Sequence, residues 1–277
     1  MPWLPELFSA PVLERLQREA GGRLAAIPYF DGLLTDELGA LVDSFAGEPE
    51  VHHPVRGRIK GARAFTALVA ETREWLADRN VEIEDAGRVH TERHGFEEVV
   101  LHLDGHDGRV ALPLALVADR RGDKRIEELR MYFSSWPLSR AHANRPPLLQ
   151  SDPELHLDGV VAEYQRALAA GDVEAVVATF EPDGYAREPA GGRSVHRGPD
   201  GLRSFYERLF SNGGGIPLEH CAAIDDGHKC ALEYNVERWG RTELPPQAGV
   251  AVYERSPNGM LTAARIYDDI DPPLTSF

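Results

Sequence analysis

Residues 160–189, VVAEYQRALAAGDVEAVVATFEPDGYAREP, read as a helix, a break, a second helix and a short strand that stops at a proline. Val160, Val161, Tyr164 and Leu168 recur at helical spacing and make one apolar face. Gly171 ends that helix, because glycine takes the left-handed cap without strain. Asp172 can cap the next helix by accepting from its open N–H groups. Val173, Val176, Val177 and Phe180 form the second apolar face. Asp183-Gly184 is expected to turn the chain into a strand over Tyr185–Glu188, and Pro189 ends it because it has no N–H to give to a ladder.

The same pattern occurs 135 residues earlier. Tyr29, Phe45, His53 and Pro54 precede Tyr164, Phe180, Glu188 and Pro189 by that offset, and Arg130, Tyr132 and Pro137 precede Arg265, Tyr267 and Pro272. Agreement at one register over both ends of each copy indicates duplication of a whole domain, since the period far exceeds that of a solenoid repeat.

The chain has 277 residues, enough for two such domains, each with its own core. A hydrophobic content of 42% with 27% charged residues fits a folded, water-exposed chain. The formal net charge of −15 repels polyanions, so nucleic acid is not an expected partner. No run of eighteen apolar residues is present, so no membrane span is expected. The opening MPWLPELFSAP lacks a basic stretch followed by an apolar core, so the sequence predicts no secretory signal and a cytoplasmic location. Cys221 and Cys230 could face each other across a hairpin; without an export signal they read as two reduced thiols.

Taken in order, residues 1–26 form an extension with a short helix over Leu13–Ala20. The first domain spans 27–138, with a third helix over Ala62–Asp78 and strands over Val81–Thr91, Phe96–Leu103, Val110–Asp119 and Ile126–Ser134. Residues 139–153 read as a proline-rich, extended linker. The second domain spans 154–277, with its third helix starting at Pro199. Its strands are expected over Ile216–Ile224, Lys229–Trp239, Gly249–Arg255 and Leu261–Asp268, and Glu243–Gln247 is expected to be a loop. Helices first and antiparallel strands after predict an α+β fold, three helices on one curved sheet in each domain. A sheet curled around helices leaves a closed-ended cavity, which is a natural ligand site.

The second copy resembles the NTF2-like superfamily of cone-shaped domains, and within it the SnoaL-like and ketosteroid isomerase group. The resemblance rests on VVAEYQRALAAGD at 160–172, FEPDG at 180–184, Arg187-Glu-Pro, HRGPDGL at 196–202 and ARIYDD at 264–269. It implies a fold of two NTF2-like cones, each a curved, mainly antiparallel sheet under three helices. It further implies that the two cones pair as subunits do in dimeric relatives, as an intramolecular pseudo-dimer that could itself oligomerise. In the isomerases a helical tyrosine donates to the substrate oxyanion and a carboxylate before a proline moves the proton; Tyr164 and Glu188 occupy those places. The second oxyanion donor of the isomerases falls near Ala251 and is missing. Losing one such donor costs on the order of 10²–10³ in rate, which disfavours fast isomerisation of an enone.

Strand alternation supports Glu188 independently. Ala186 and Glu188 share a face, as Val51 and His53 do in the first copy, and an apolar neighbour suits a face turned to a dry cavity. Burial there would move a carboxyl toward the range of a general base. The bland alternative is a solvated strand-end glutamate, just as Tyr164 on an apolar helix face can be plain core. Tyr29 and His53 form the corresponding pair in the first copy. Asp268 follows Ala264 and Ile266 on an inward face and could pair with Glu188, one carboxyl then holding a proton, as suits a cyclase or an epoxide hydrolase. Asp269, on the opposite face, is expected in solvent. The pairs His90/His94 and His102/His106 fall on strands and turns, where that spacing does not converge on a metal. No phosphate loop, dinucleotide fingerprint, Gly-x-Ser-x-Gly elbow or Cys-x-x-Cys pair occurs, so no cofactor is expected. The expected partner is a small hydrophobic molecule. The chemistry open to it is isomerisation, cyclisation, epoxide opening or dehydration, or binding without turnover.

Overall fold

One strand order is used twice. The computed structural model describes residues 42–43, 45–91, 93–106, 108–121, 125–190 and 194–274, and the chain divides after Tyr132 into two units. The first unit has strands β1 (Glu50–His53), β2 (Gly57–Lys60), β3 (Glu82–His90), β4 (His94–Gly105), β5 (Gly108–Arg120) and β6 (Ile126–Tyr132), with helix α1 over Ala62–Ala77. The second has helices α2 (Trp136–Ser139), α3 (Gly159–Ala170), α4 (Val173–Val177) and α5 (Gly198–Leu209). Its strands are β7 (Phe180–Arg187), β8 (Val195–Arg197), β9 (Leu218–Asp225), β10 (Lys229–Trp239), β11 (Thr242–Arg255) and β12 (Leu261–Tyr267). The sheets run β2-β1-β6-β5-β4-β3 and β8-β7-β12-β11-β10-β9. Each has one parallel pair, in which Val51 faces Leu129 in the first unit and Ala186 faces Ala264 in the second. Both pairs repeat at the 135-residue offset, so the duplication holds to the level of strand register. The fold is α+β, with one six-stranded strand order built twice.

The second unit follows its pattern closely. Val160, Val161, Tyr164 and Leu168 of α3 are buried together with Leu202, Phe205, Tyr206 and Leu209 of α5. Gly171 closes α3 in the left-handed region at φ 71°, and the Asp172 side chain accepts from Ala175 N to cap α4. Such a cap is worth about 1 kcal/mol. The end of α3 is also met by Gly215, whose neighbour Ile216 donates its N–H to Leu168 O at 2.9 Å while Gly240 N donates to Gly215 O at 2.9 Å. In the first unit, Phe65, Leu68, Val69 and Leu76 of α1 form the expected stripe. The helix pair expected before Phe45 falls largely on residues outside the described ones, as does the helix over Leu13–Ala20.

Three expectations change. Asp183-Gly184 is not a turn but lies inside β7, where a register shift relative to β12 occurs. The glycine is needed there because a Cβ would stand 2.8 Å from Leu261 O. Glu243–Gln247 is not a loop but part of β11. Val236 pairs with Gln247 and Arg238 with Glu243, so Leu244–Pro246 bulge opposite Glu237. Both prolines sit where no ladder donor is required. Finally, the unit boundary falls before Phe133, so the expected linker belongs to the second unit. Its carbonyls dock it: Arg145 O accepts from Ala248 N and Leu149 O from Asn235 Nδ2, each at 2.9 Å, and Asp152 N donates to His220 O at 2.8 Å. Among the described residues no helix is long and apolar enough to cross a membrane.

Candidate active site

The second unit encloses a cavity of about 430 Å³ between its helices and sheet. Leu168, Phe205, Leu209, Val236, Trp239 and Ile266 give it an apolar wall, into which a few polar groups are set. Tyr164, Glu188 and Asp268, the three residues expected to converge, all line it.

Tyr164 stands on the buried face of α3, and its hydroxyl shares a 2.8 Å hydrogen bond with that of Tyr206 on α5. Burial pushes the Tyr164 phenol up to about 12, against the opposing pull of the Tyr206 bond, and raises Tyr206 well above its ordinary value. Both therefore stay protonated at neutral pH. Two phenols share one hydrogen bond with one proton, so the accepting phenol keeps its own proton for a ligand. Tyr253 is tied instead to Gln165, whose Nε2 donates to its hydroxyl at 2.6 Å.

Asp268 follows the last residue of β12. It is half-buried, and its Oδ2 accepts from the Tyr234 hydroxyl at 2.8 Å. Tyr234 can lie flat across the sheet because its partner in the ladder is Gly249, where a Cβ would stand 2.6 Å from the ring. Burial raises the Asp268 carboxyl to about 6, the charge of Asp269 adding to the rise. The Tyr234 bond, the Ile270 N–H and His142 act in the opposite direction. The expected partnership of Asp268 with Glu188 is replaced by this one with a phenol.

Glu188 shares the cavity face with Ala186, as alternation requires. Its Oε1 accepts from His196 Nε2 at 2.7 Å and from Arg208 Nη2 at 2.9 Å. His196 in turn stacks on Phe205, centroids 4.2 Å apart at 7°. Glu188 is thus the centre of an ion-paired cluster and not a lone carboxylate in a dry wall.

Residues 161–264 match the SnoaL-like domain family. They form a SnoaL-like domain. Solved structures similar to the chain include a putative polyketide cyclase from Sinorhizobium meliloti, at 20% identity over 40% of this chain and 94% of that one, with a TM-score of 0.34. Another is SalBIII, described as an epoxide hydrolase/cyclase-like enzyme in pyran ring formation in the polyether salinomycin, at 23% identity over 39% and 86%, with a TM-score of 0.34. An NTF2-like protein of unknown function from Cytophaga hutchinsonii aligns at 15% identity over 42% and 94%, with a TM-score of 0.32. No curated protein matches the chain.

One residue of the cavity wall and one buried behind it are not legible in the sequence. His142 lines the wall from the docked segment before α3, stacked on Trp136 with centroids 4.8 Å apart. Asp269, expected in solvent, is 5% exposed and accepts from Ser134, Ser135, His142 and Ala143. Alternation fails there because β12 has already ended at Tyr267. Cys230 is fully buried, and it pairs with Asp225 across the ladder, not with Cys221; neither cysteine forms a disulfide.

The first unit has a smaller cavity, about 140 Å³, lined by His53 with Leu68, Thr72 and Trp75. Tyr29 lies outside the described residues. Of the two adjacent histidines His53 is the buried one, and its Nδ1 accepts from Val55 N at 3.1 Å and Arg56 N at 3.2 Å. That nitrogen is the one a neutral ring would use as a base, so this histidine serves as a turn cap. Among the described residues one group brings metal-type ligand atoms within 4.8 Å of one another: Glu50, His52 and Glu128. Its charge is already answered, since Arg58 and Lys60 pair with Glu50 at 2.6 and 2.9 Å and Arg130 with Glu128 at 2.9 Å.

Proposed function

We propose that the cavity of the SnoaL-like domain carries out cofactor-free proton transfer on a small, apolar, carbonyl-bearing compound. The observation that carries this reading is a carboxyl, Asp268, set in an apolar wall that also holds a protonated phenol pair. Asp268 removes a proton from the carbon beside the carbonyl. The C–H electrons form the enolate, and its oxygen is held by the free phenol proton of Tyr164 or Tyr206. The enolate carbon then either regains a proton elsewhere, which is isomerisation, or attacks a second electrophilic carbon, which is cyclisation. A carboxyl titrating near 6 is matched to both halves of such a cycle at neutral pH. Glu188, the base expected from the resemblance, has both its hydrogen bonds on one oxygen and supports the wall through Arg208 and His196.

The test is native mass spectrometry of the full chain purified from its own host, where a retained small molecule with a carbonyl group is the expected result. An empty protein that also fails to protect its cavity against added apolar ketones would remove the reading. The two carboxylates separate in turnover. Glu188→Gln keeps an acceptor for Arg208 and His196 and is expected to change the rate by less than about tenfold, below the 10² that loss of a working base costs. A larger loss in Glu188→Gln than in Asp268→Asn would return the base to Glu188.

A further inference from the structure

Asp269 is surrounded by donors. Ser134 Oγ donates at 2.6 Å, Ser135 Oγ at 2.6 Å, Ser135 N at 3.0 Å, Ala143 N at 2.7 Å and His142 Nδ1 at 3.0 Å. Backbone N–H groups cannot reverse their role, so this carboxyl acts as acceptor throughout. The imidazole proton of His142 is thereby fixed on Nδ1, and Nε2 keeps the lone pair. The ring is locked on a second side by the stack on Trp136, at an interplanar angle of 17°. It lines the same cavity as Asp268, and Nε2 lies 3.8 Å from Asp271, another residue of that wall. A histidine oriented by a buried carboxylate and set against an apolar cavity is more than packing requires.

We propose that His142 is a second proton-transfer group of this cavity, working through Nε2 beside Asp268, with Asp269 as its positioning residue. The proposal rests on the acid–base reading above and narrows its substrate. Two groups allow the proton to leave one atom and arrive at another. Asp268 takes the proton from carbon, the enolate carbon forms a C–C bond to a second carbonyl carbon, and that carbonyl oxygen takes a proton from protonated Nε2. Substrate and product are isomers. Asp268 ends protonated and His142 neutral, and a proton passed from one to the other, directly or through water at the mouth, restores both. The fitting substrate class is a small dicarbonyl compound that closes a ring. The titratable groups facing His142 are Asp268, Asp269 and Asp271 after β12 and Tyr234 on β10.

The experiment uses the full chain and 5-nitrobenzisoxazole, an apolar probe whose C3 proton is removed by a base as its N–O bond breaks, releasing a coloured phenolate. The wild-type rate between pH 5 and 9 should carry a contribution from each base. A positioned base contributes on the order of 10²-fold or more, so each contribution stands clear of buffer. His142→Gln and Asp268→Asn should each lose one contribution and so change the shape of the profile in different ways. Asp269→Asn should change it as His142→Gln does, with His142 still present. A His142→Gln profile superimposable on wild type overturns the proposal and leaves the Asp268 reading intact. A profile changed in His142→Gln but unchanged in Asp268→Asn overturns that reading and leaves His142 standing. A wild type no faster than buffer overturns both. Nitrogen-15 spectra of histidine-labelled wild type need no variant for the geometry: the Nδ1–H tautomer is expected for neutral His142, and an Nε2–H tautomer would refute it.

Discussion

Asp268→Asn lowers turnover by on the order of 10²–10⁴, the contribution of one positioned acid–base group, while leaving the cavity's shape in place. The amide can still accept from the Tyr234 hydroxyl, which reaches Oδ2 at 2.8 Å in the native protein. The same variant has an opposite effect on stability. Burial raises the folded-state carboxyl from 3.8 to about 6. Below pH 3.8 the group is protonated in both states and contributes nothing. Between 3.8 and 6 the unfolded chain ionises while the folded one resists, and above 6 the folded protein bears the whole cost of an ionised carboxyl in an apolar wall. For a partly exposed group that cost is about 2 kcal/mol after solvent screening. Asp268→Asn therefore raises the unfolding midpoint at pH 8 and leaves it unchanged near pH 3.5. Denaturant melts at the two pH values check this, and equal midpoints at pH 8 would show that the carboxyl is solvated and unsuited to the role given it.

The largest stability effect is expected at Gly215, where α3 ends against the backbone. A methyl there would fall well inside contact distance of Leu168 O and Gly171 N and 2.5 Å from Ala169 O, all of them backbone atoms. Backbone cannot rotate aside as a side chain can, so the end of α3 or the β10–β11 turn must move. Gly215→Ala is expected to cost at least ~3 kcal/mol, in the range reserved for severe overpacking. The control is Gly227→Ala, at a hairpin tip with φ 89° and open space around it. It bears only the strain of a left-handed backbone, about 1 kcal/mol. Chemical denaturation of both variants separates the effects, and similar midpoints would mean that the α3 terminus yields easily.

What was legible in the chain was what repeats. The helical spacing of Val160 to Leu168, the Gly171-Asp172 junction and the offset of 135 residues correspond to α3, α4 and the repeated strand order, and Glu188 and Asp268 line one cavity although each follows the last residue of its strand. What was not legible came from tertiary partners. Nothing near Glu188 in sequence announces Arg208, and nothing near Asp268 announces Tyr234. Pro245 and Pro246 resemble a loop in sequence because a bulge that absorbs three residues leaves no local pattern. His142 sits in an aperiodic, proline-rich stretch whose docking depends on a carboxylate 127 residues later.

The segment from Ser134 to Leu149 supplies wall and hydrogen-bond partners to a domain whose family likeness begins only at residue 161 and stops at 264. Asp268, Asp269 and His142 all lie beyond those limits. A fragment excised at the limits of kinship would lose part of the wall together with the groups given its chemistry. In descent, likewise, the flanks can alter the chemistry while the shared span between them is kept.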